Sequence, residues 1–103
     1  MELVFHPDVK EDINKLDGNL KKFAKKALYK IKFSPELGKP LGNKGDIDLS
    51  GCYKIYFYKK KYRIVYGLLD DDTLFVWSIG KREDEVVYLN AYKRILETQN
   101  NHE

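Results

Sequence analysis

The sequence predicts an α+β fold with the element order β-α-α-β-β-β-α, a helical hairpin packed on an antiparallel sheet and a C-terminal helix. Three observations carry this. Asn19–Phe33 has an apolar period of a helix, with Leu20, Phe23, Ala24, Ala27, Leu28 and Ile31 at three- and four-residue spacings. Cys52–Ile79 holds three strand-like runs parted by two short polar breaks. Val86–Leu96 returns to helical spacing, so helices flank a meander and are expected to pack on one face of its sheet.

Taken in order, Glu2–His6 is a short β-prone run that Pro7 stops. A first helix is expected from Asp8 to about Leu16, with Val9, Ile13 and Leu16 on one face, and Asp17-Gly18-Asn19 breaks it. The second helix ends at Ser34-Pro35, because the residue before proline is pushed out of helical geometry. Its other face carries Lys21, Lys22, Lys25, Lys26 and Lys30, a solvated surface that can also steer a polyanion. Glu36–Gly51, with Gly38, Pro40, Gly42, Gly45 and Gly51, is expected to be a connecting loop, and Lys39 and Lys44 in it are free to touch a partner.

Tyr53–Tyr58 is the first strand of the meander. Period two places Tyr53, Ile55 and Phe57 toward the core and Lys54, Tyr56 and Tyr58 on the other face. After Lys59-Lys60 the next strand runs from Lys61 to Leu69, with Tyr62, Ile64, Tyr66 and Leu68 on one face and Arg63, Val65 and Gly67 opposite. Asp70-Asp71-Asp72 makes a turn. Thr73–Ile79 is nearly continuously apolar, as expected of a strand buried on both faces. Beyond Gly80, a charged stretch leads into the last helix, where Val87, Ala91 and Leu96 are apolar; Asn100–Glu103 is expected to fray.

With 103 residues the chain is expected to be a single domain, residues 1–103. No run of 18 apolar residues suits a membrane span, and MELVFHPDVK lacks the pattern of a secretory signal. A lone Cys52 cannot form an internal disulfide, which fits a reducing cytoplasm. The net charge of +3 is mild, so distribution matters more than sum. Ten Lys and no Arg precede Asp46, whereas Arg63, Arg82 and Arg94 all follow Cys52. Guanidinium presents a planar fork matched to phosphate oxygens, so these arginines are the sharper functional candidates. Lys54, Tyr56, Tyr58, Arg63, Lys81, Arg82 and Tyr88 form a basic and phenolic set suited to phosphates and bases.

The motifs Cys52-Tyr53-Lys54-Ile55, Tyr62-Arg63-Ile64-Val65-Tyr66, Ser78-Ile79-Gly80-Lys81-Arg82-Glu83 and Lys93-Arg94-Ile95-Leu96, together with Glu85 and Tyr88, resemble the RelE/ParE toxin superfamily, its RelE branch in particular. The resemblance covers the last half of the chain in motifs and the whole of it in element order. It implies a RelE-like fold and a type II toxin–antitoxin toxin, a metal-independent endoribonuclease that cuts mRNA in the ribosomal A site and inhibits translation. A 2′,3′-cyclic phosphate and a 5′-hydroxyl are the implied product ends. The implied partners are a cognate antitoxin, the ribosome and mRNA, with no membrane and with DNA reached only through the antitoxin. Carried over residue by residue, the catalytic set is Lys54, Arg63, Arg82 and Tyr88, and Tyr56, Lys81 and Lys44 are substrate-binding candidates. Tyr56 stands where RelE proteins typically carry a second basic residue.

Cleavage through the 2′-hydroxyl needs a proton acceptor, charge stabilisation on the phosphate and a donor for the leaving oxygen. Arg63 and Arg82 are expected phosphate clamps, and Lys54 either joins them or lowers the pKa of a nearby tyrosine. Tyr88, or alternatively Tyr56, is the candidate base. Other residues read as structure. Tyr53, Tyr62, Tyr66 and Trp77 belong to the sheet core, Cys52 to a structural thiol, and His6 lacks a matching partner. The acidic runs Asp70–Asp72 and Glu83–Glu85 lack calcium-loop spacing, and no cofactor is expected. Two competing functions remain: a non-catalytic DNA gyrase inhibitor of the ParE kind, and a degenerate member that only binds antitoxin or nucleic acid.

Overall fold

The computed structural model describes residues 1–100, except the side chains of Asp84 and Asn100; residues 101–103, the end of the expected frayed tail, lie outside the described residues. The elements are β1 (Glu2–Phe5), α1 (Val9–Asn14), α2 (Gly18–Phe33), β2 (Lys39–Lys44), β3 (Ile47–Phe57), β4 (Tyr62–Asp70), β5 (Thr73–Lys81) and α3 (Val86–Asn100). Short 3-10 turns, Pro35–Leu37 and Glu83–Glu85, follow α2 and precede α3. No helix among the described residues is long and apolar enough to cross a membrane.

The fold is α+β, as expected, with more strand than the sequence suggests. Five strands form one sheet in the order β1-β5-β4-β3-β2. β1 runs parallel to β5 and the other neighbours are antiparallel, so the sheet is mixed. Glu36–Gly51 is not simply a loop. Its glycines turn and bulge a hairpin, with Gly42 and Gly45 at φ +62° and +64°, while Leu41 and Leu49 bury their side chains. Glycine reaches that left-handed geometry without steric cost, which lets a glycine-rich segment serve as strand and turn together.

The helices are not all on one face. α1 and α2 cover one side of the sheet, where Val9, Leu16, Ala24, Ala27 and Ile31 pack with Ile64, Tyr66 and Leu74. α3 covers the other, where Val87, Tyr88 and Ala91 meet Leu49, Cys52 and Val65. The strand alternation is consistent with this: Ile64 and Tyr66 serve the first core and Val65 the second. β5 is buried on both faces.

Local chemistry sets the element ends. Asp17 caps α2, its carboxylate accepting from the Leu20 N–H at 2.9 Å, a contact worth about 1 kcal/mol in helices of this kind. Lys21, Lys22, Lys25, Lys26 and Lys30 of α2 point to solvent. Tyr66 donates its hydroxyl to the Pro35 carbonyl at 2.7 Å; a β-carbon on Gly38 would run into that hydroxyl, so only glycine fits there.

β1 pairs with β5 only from Thr73 to Val76, which leaves the far half of that strand edge open. Side chains close it. Asp12 accepts from the Ile79 N–H at 3.0 Å, and Arg94 donates to the Trp77 carbonyl at 2.9 Å. Asp12 and Arg94 join each other through two contacts, 2.6 and 3.0 Å. Arg94, grouped by sequence with the functional arginines, is therefore a buried tie between α1, β5 and α3, because an open buried edge must find partners.

Candidate active site

α3 covers only part of its sheet face. Cys52 and Val65 lie beneath it; on the same face, two residues further along β3 and β4, Lys54, Tyr56 and Arg63 are left outside the apolar core. Register makes them neighbours. Tyr56 stands opposite Arg63, and Lys54 stands between Val65 on β4 and Lys39 on β2. Cross-strand partners lie close enough for side chains to stack. The Arg63 guanidinium accordingly sits 4.3 Å from the Tyr56 ring centroid, and 5.7 Å from that of Tyr88.

The result is a groove of about 360 Å³ in which Lys54, Tyr56, Arg63, Arg82, Tyr88 and Lys44 come together. Lys39, Lys60 and Glu85 complete its lining. Lys44 lies 4.6 Å over the Tyr88 ring, and Lys54 5.4 Å over that of Tyr56. Lys39 enters on β2, in a hairpin that sequence reading leaves as a loop; the alternation of Leu41, Ile47 and Leu49 around Gly45 is the signal that points to it. Six cations against one carboxylate, Glu85, make a donor set for an anion rather than for a metal ion.

Arg63 is the central feature. It is 4% exposed, and its Nε and Nη1 atoms are buried without hydrogen-bond partners. A buried, unsatisfied guanidinium is costly. The Tyr88 hydroxyl beside it is also buried and unpartnered. Among the described residues no carboxylate pairs with Arg63. Such a positively charged floor favours an anion, such as a phosphate, in the groove above it.

The two tyrosines are in opposite electrostatic states. Hydrogen bonding from Arg63 first, then from Lys54, with a smaller contribution from their charges, pulls the Tyr56 phenol down to about 8, since cationic donors favour phenolate. Burial pushes Tyr88 above the ordinary tyrosine range, with the Arg63 charge opposing it. Tyr88, 2% exposed, is thus held neutral as a proton donor, and of the two phenols Tyr56 is the one suited to act as a base.

Other candidates fall elsewhere. Lys81 is exposed, and it lines an adjoining groove with Arg82 rather than this one. Tyr58 does not share the Lys54 and Tyr56 face: its φ of +49° opens the β3–β4 turn, and its ring packs on Phe23 of α2 at 5.5 Å. Cys52 is buried, its thiol pushed up to about 11 by desolvation, which leaves it inert. His6 sits at the β1–α1 corner, where its Nδ1 accepts from the Asp8 N–H at 3.1 Å.

Residues 3–86 match the family model described as the ParE toxin of type II toxin–antitoxin system, parDE. The mRNA interferase toxin RelE of Escherichia coli (strain K12) is 39% identical over 85 residues, which span 80% of this chain and 83% of that protein. A double arginine-to-alanine mutant of E. coli toxin RelE in the free state superposes with a TM-score of 0.72 at 34% identity, covering 91% of this chain and 96% of that one. A chain of the intact E. coli RelBE toxin–antitoxin complex superposes with a TM-score of 0.63 at 32% identity, covering 80% and 96%. By family model, sequence identity and shared fold alike, the chain belongs to the RelE/ParE superfamily of type II toxin–antitoxin toxins.

Proposed function

We propose that this chain is a cytoplasmic endoribonuclease toxin that cleaves mRNA in the ribosomal A site and is silenced by a cognate antitoxin. The observation that carries the reading is the buried Arg63 guanidinium, whose Nε and Nη1 have no partner, flanked by Tyr56, Tyr88 and Lys54 in one groove. A surface that only docked onto another protein would gain nothing from that arrangement. The relatives named mRNA interferases support it, as does the antitoxin complex formed by a relative.

In this reading Arg63 and the Tyr88 hydroxyl hold the scissile phosphate. Tyr56, as phenolate, takes the proton of the adjacent 2′-hydroxyl, whose oxygen then attacks phosphorus. Arg63 and Lys54 neutralise the charge that grows on the phosphoryl oxygens, a contribution that electrostatic groups make chiefly in the transition state. The P–O5′ bond breaks beside Lys54 and Arg82, whose charges stabilise the leaving oxygen while it takes a proton from solvent water, and Tyr56 later returns its proton to solvent. The ends are a 2′,3′-cyclic phosphate and a 5′-hydroxyl. Lys44, over the Tyr88 ring, anchors the neighbouring backbone.

Primer extension on a message translated in a purified system tests this. New cuts at A-site codons that require ribosomes, reduced about 10²-fold in Arg82→Ala, are expected. Folded wild-type protein that makes no cuts would end the nuclease reading, and an accompanying loss of gyrase supercoiling would replace it with the ParE one.

A further inference from the structure

A second basic groove continues from the first. It encloses about 840 Å³, within the range of sites that hold small ligands. One wall is the β3–β4 turn, with Lys59, Lys60 and Lys61; the other is the end of β5, with Lys81 and Arg82. Half-buried Tyr58 and Tyr62 lie between the walls, and Glu83 supplies the single acidic group. The walls are tied together: Tyr62 pairs with Lys81 across the sheet, and the Arg82 N–H donates to the Lys61 carbonyl at 2.9 Å. Lys60 and Arg82 line both grooves, so they form the passage from one to the other.

The turn itself is unusual. Tyr58, Lys59 and Lys60 have φ of +49°, +56° and +63°, and the Lys61 N–H closes it on the Tyr58 carbonyl at 3.0 Å. Asparagine and glycine are the residues that relax such a turn, and lysine is not. Nor do these lysines serve the fold through ion pairs, since among the described residues Lys59, Lys60, Lys61, Lys81 and Arg82 form none. The turn therefore presents charge at positions where local backbone preference asks for something else, and strain of this kind collects at functional sites.

We propose that this groove is a subsite for the RNA strand beyond the cleaved bond, taking the phosphate of an adjoining nucleotide on Lys59 and Lys61 and its base against the tyrosines. The inference rests on the ribonuclease reading of the neighbouring groove. A strand held at Arg63 leaves past Lys60 and Arg82 into this space, so the two sites share one polyanion. Aromatic rings between basic walls suit single-stranded RNA, whose bases stack without demanding sequence. An acidic peptide would use the charge but not the half-exposed faces of the two rings, which pack on Phe23 and Phe57 from the other side.

The test uses the full chain and short 2′-O-methyl oligoribonucleotides, which lack the nucleophile and are not cut. Binding is followed by fluorescence anisotropy at several salt concentrations, for a core oligonucleotide and for versions extended at the 5′ or the 3′ end. Extension at one end is expected to tighten wild-type binding about tenfold. The Lys59→Asn/Lys61→Gln variant is expected to bind the core as wild type does and to lose that gain, with a shallower salt dependence for the extended strand. The change at Lys59 puts a turn-favouring residue in the turn, so the fold is retained; circular dichroism and urea unfolding verify it. A variant that keeps the full gain, or a wild type that gains at neither end, overturns the proposal. A polyglutamate peptide that binds wild type more tightly than the extended strand, and is lost in the variant, overturns it in favour of a protein ligand. Ribosome-dependent cutting by the same wild-type preparation reads the nuclease separately: cutting without the gain removes only the subsite, and the gain without cutting overturns both, leaving an RNA-binding groove with no cleaved bond beside it.

Discussion

Replacing Tyr56 by phenylalanine removes one oxygen from the groove and leaves the ring that stacks on Arg63. Its effect follows from the ionisation of that oxygen. Arg63 and Lys54 bring the phenol down to about 8. At pH 7 roughly one-tenth of such a phenol is ionised, against about one part in a thousand for an ordinary tyrosine titrating at ~10. The active form is the deprotonated one, so the single-turnover cleavage rate should rise with pH through the neutral range and level off above about 8. Between pH 6.5 and 7.5 that amounts to about an eightfold increase. Tyr56→Phe should lower the rate about 10²-fold and flatten this limb. Tyr88→Phe, which loses a neutral donor, should lower the rate about tenfold and leave the limb in place. Rapid-quench cleavage of a ribosome-bound message gives the rates, and the near-ultraviolet absorbance of tyrosinate gives the titration independently. A Tyr56→Phe variant with wild-type rate and pH dependence would refute the assignment. So would a wild-type protein in which no tyrosine titrates below the ordinary range.

Two further predictions concern stability. Arg63→Met exchanges a buried, partly unpartnered cation for an apolar side chain of similar length, so urea unfolding should show stability unchanged or raised by about 1–2 kcal/mol, while cleavage falls at least about 10²-fold; a large loss of stability would mean that Arg63 is structural. At the other buried guanidinium the sign reverses. Asp12→Ala strands Arg94 and frees the Ile79 N–H, which should cost about 3–5 kcal/mol. The Asp12→Ala/Arg94→Met double variant should lose less than the two single losses combined, and strict additivity would show that the pair does not act as a unit.

Several features of the molecule were already legible in its residues. The three-and-four spacing of α2, the proline that ends it and the strict alternation along β4 each follow from local geometry, where one apolar face must meet a core. Alternation alone separates Arg63 and Val65 from Ile64 and Tyr66, and it places Lys54 with Tyr56. The β2–β3 hairpin was obscured because its glycines carry turn chemistry and bulges within the strands themselves. The positive φ at Tyr58 broke the alternation at the point where period two expects it to continue.

What the tertiary structure alone decided is who meets whom. Helical spacing shows that α3 has an apolar stripe and is silent on which sheet face takes it. By covering one half of the face that carries Lys54, Tyr56 and Arg63, α3 buries Tyr88 and leaves the other half as a groove. Strand register sets Tyr56 opposite Arg63, and that contact, rather than any property of tyrosine, turns the phenol into a candidate base. The sequence by itself determined which chemical groups are present and which side of a strand they take. Their ionisation, and the separation of a clamping Arg63 from a structural Arg94, depend on distance and burial, which arise only when residues remote along the chain are packed together.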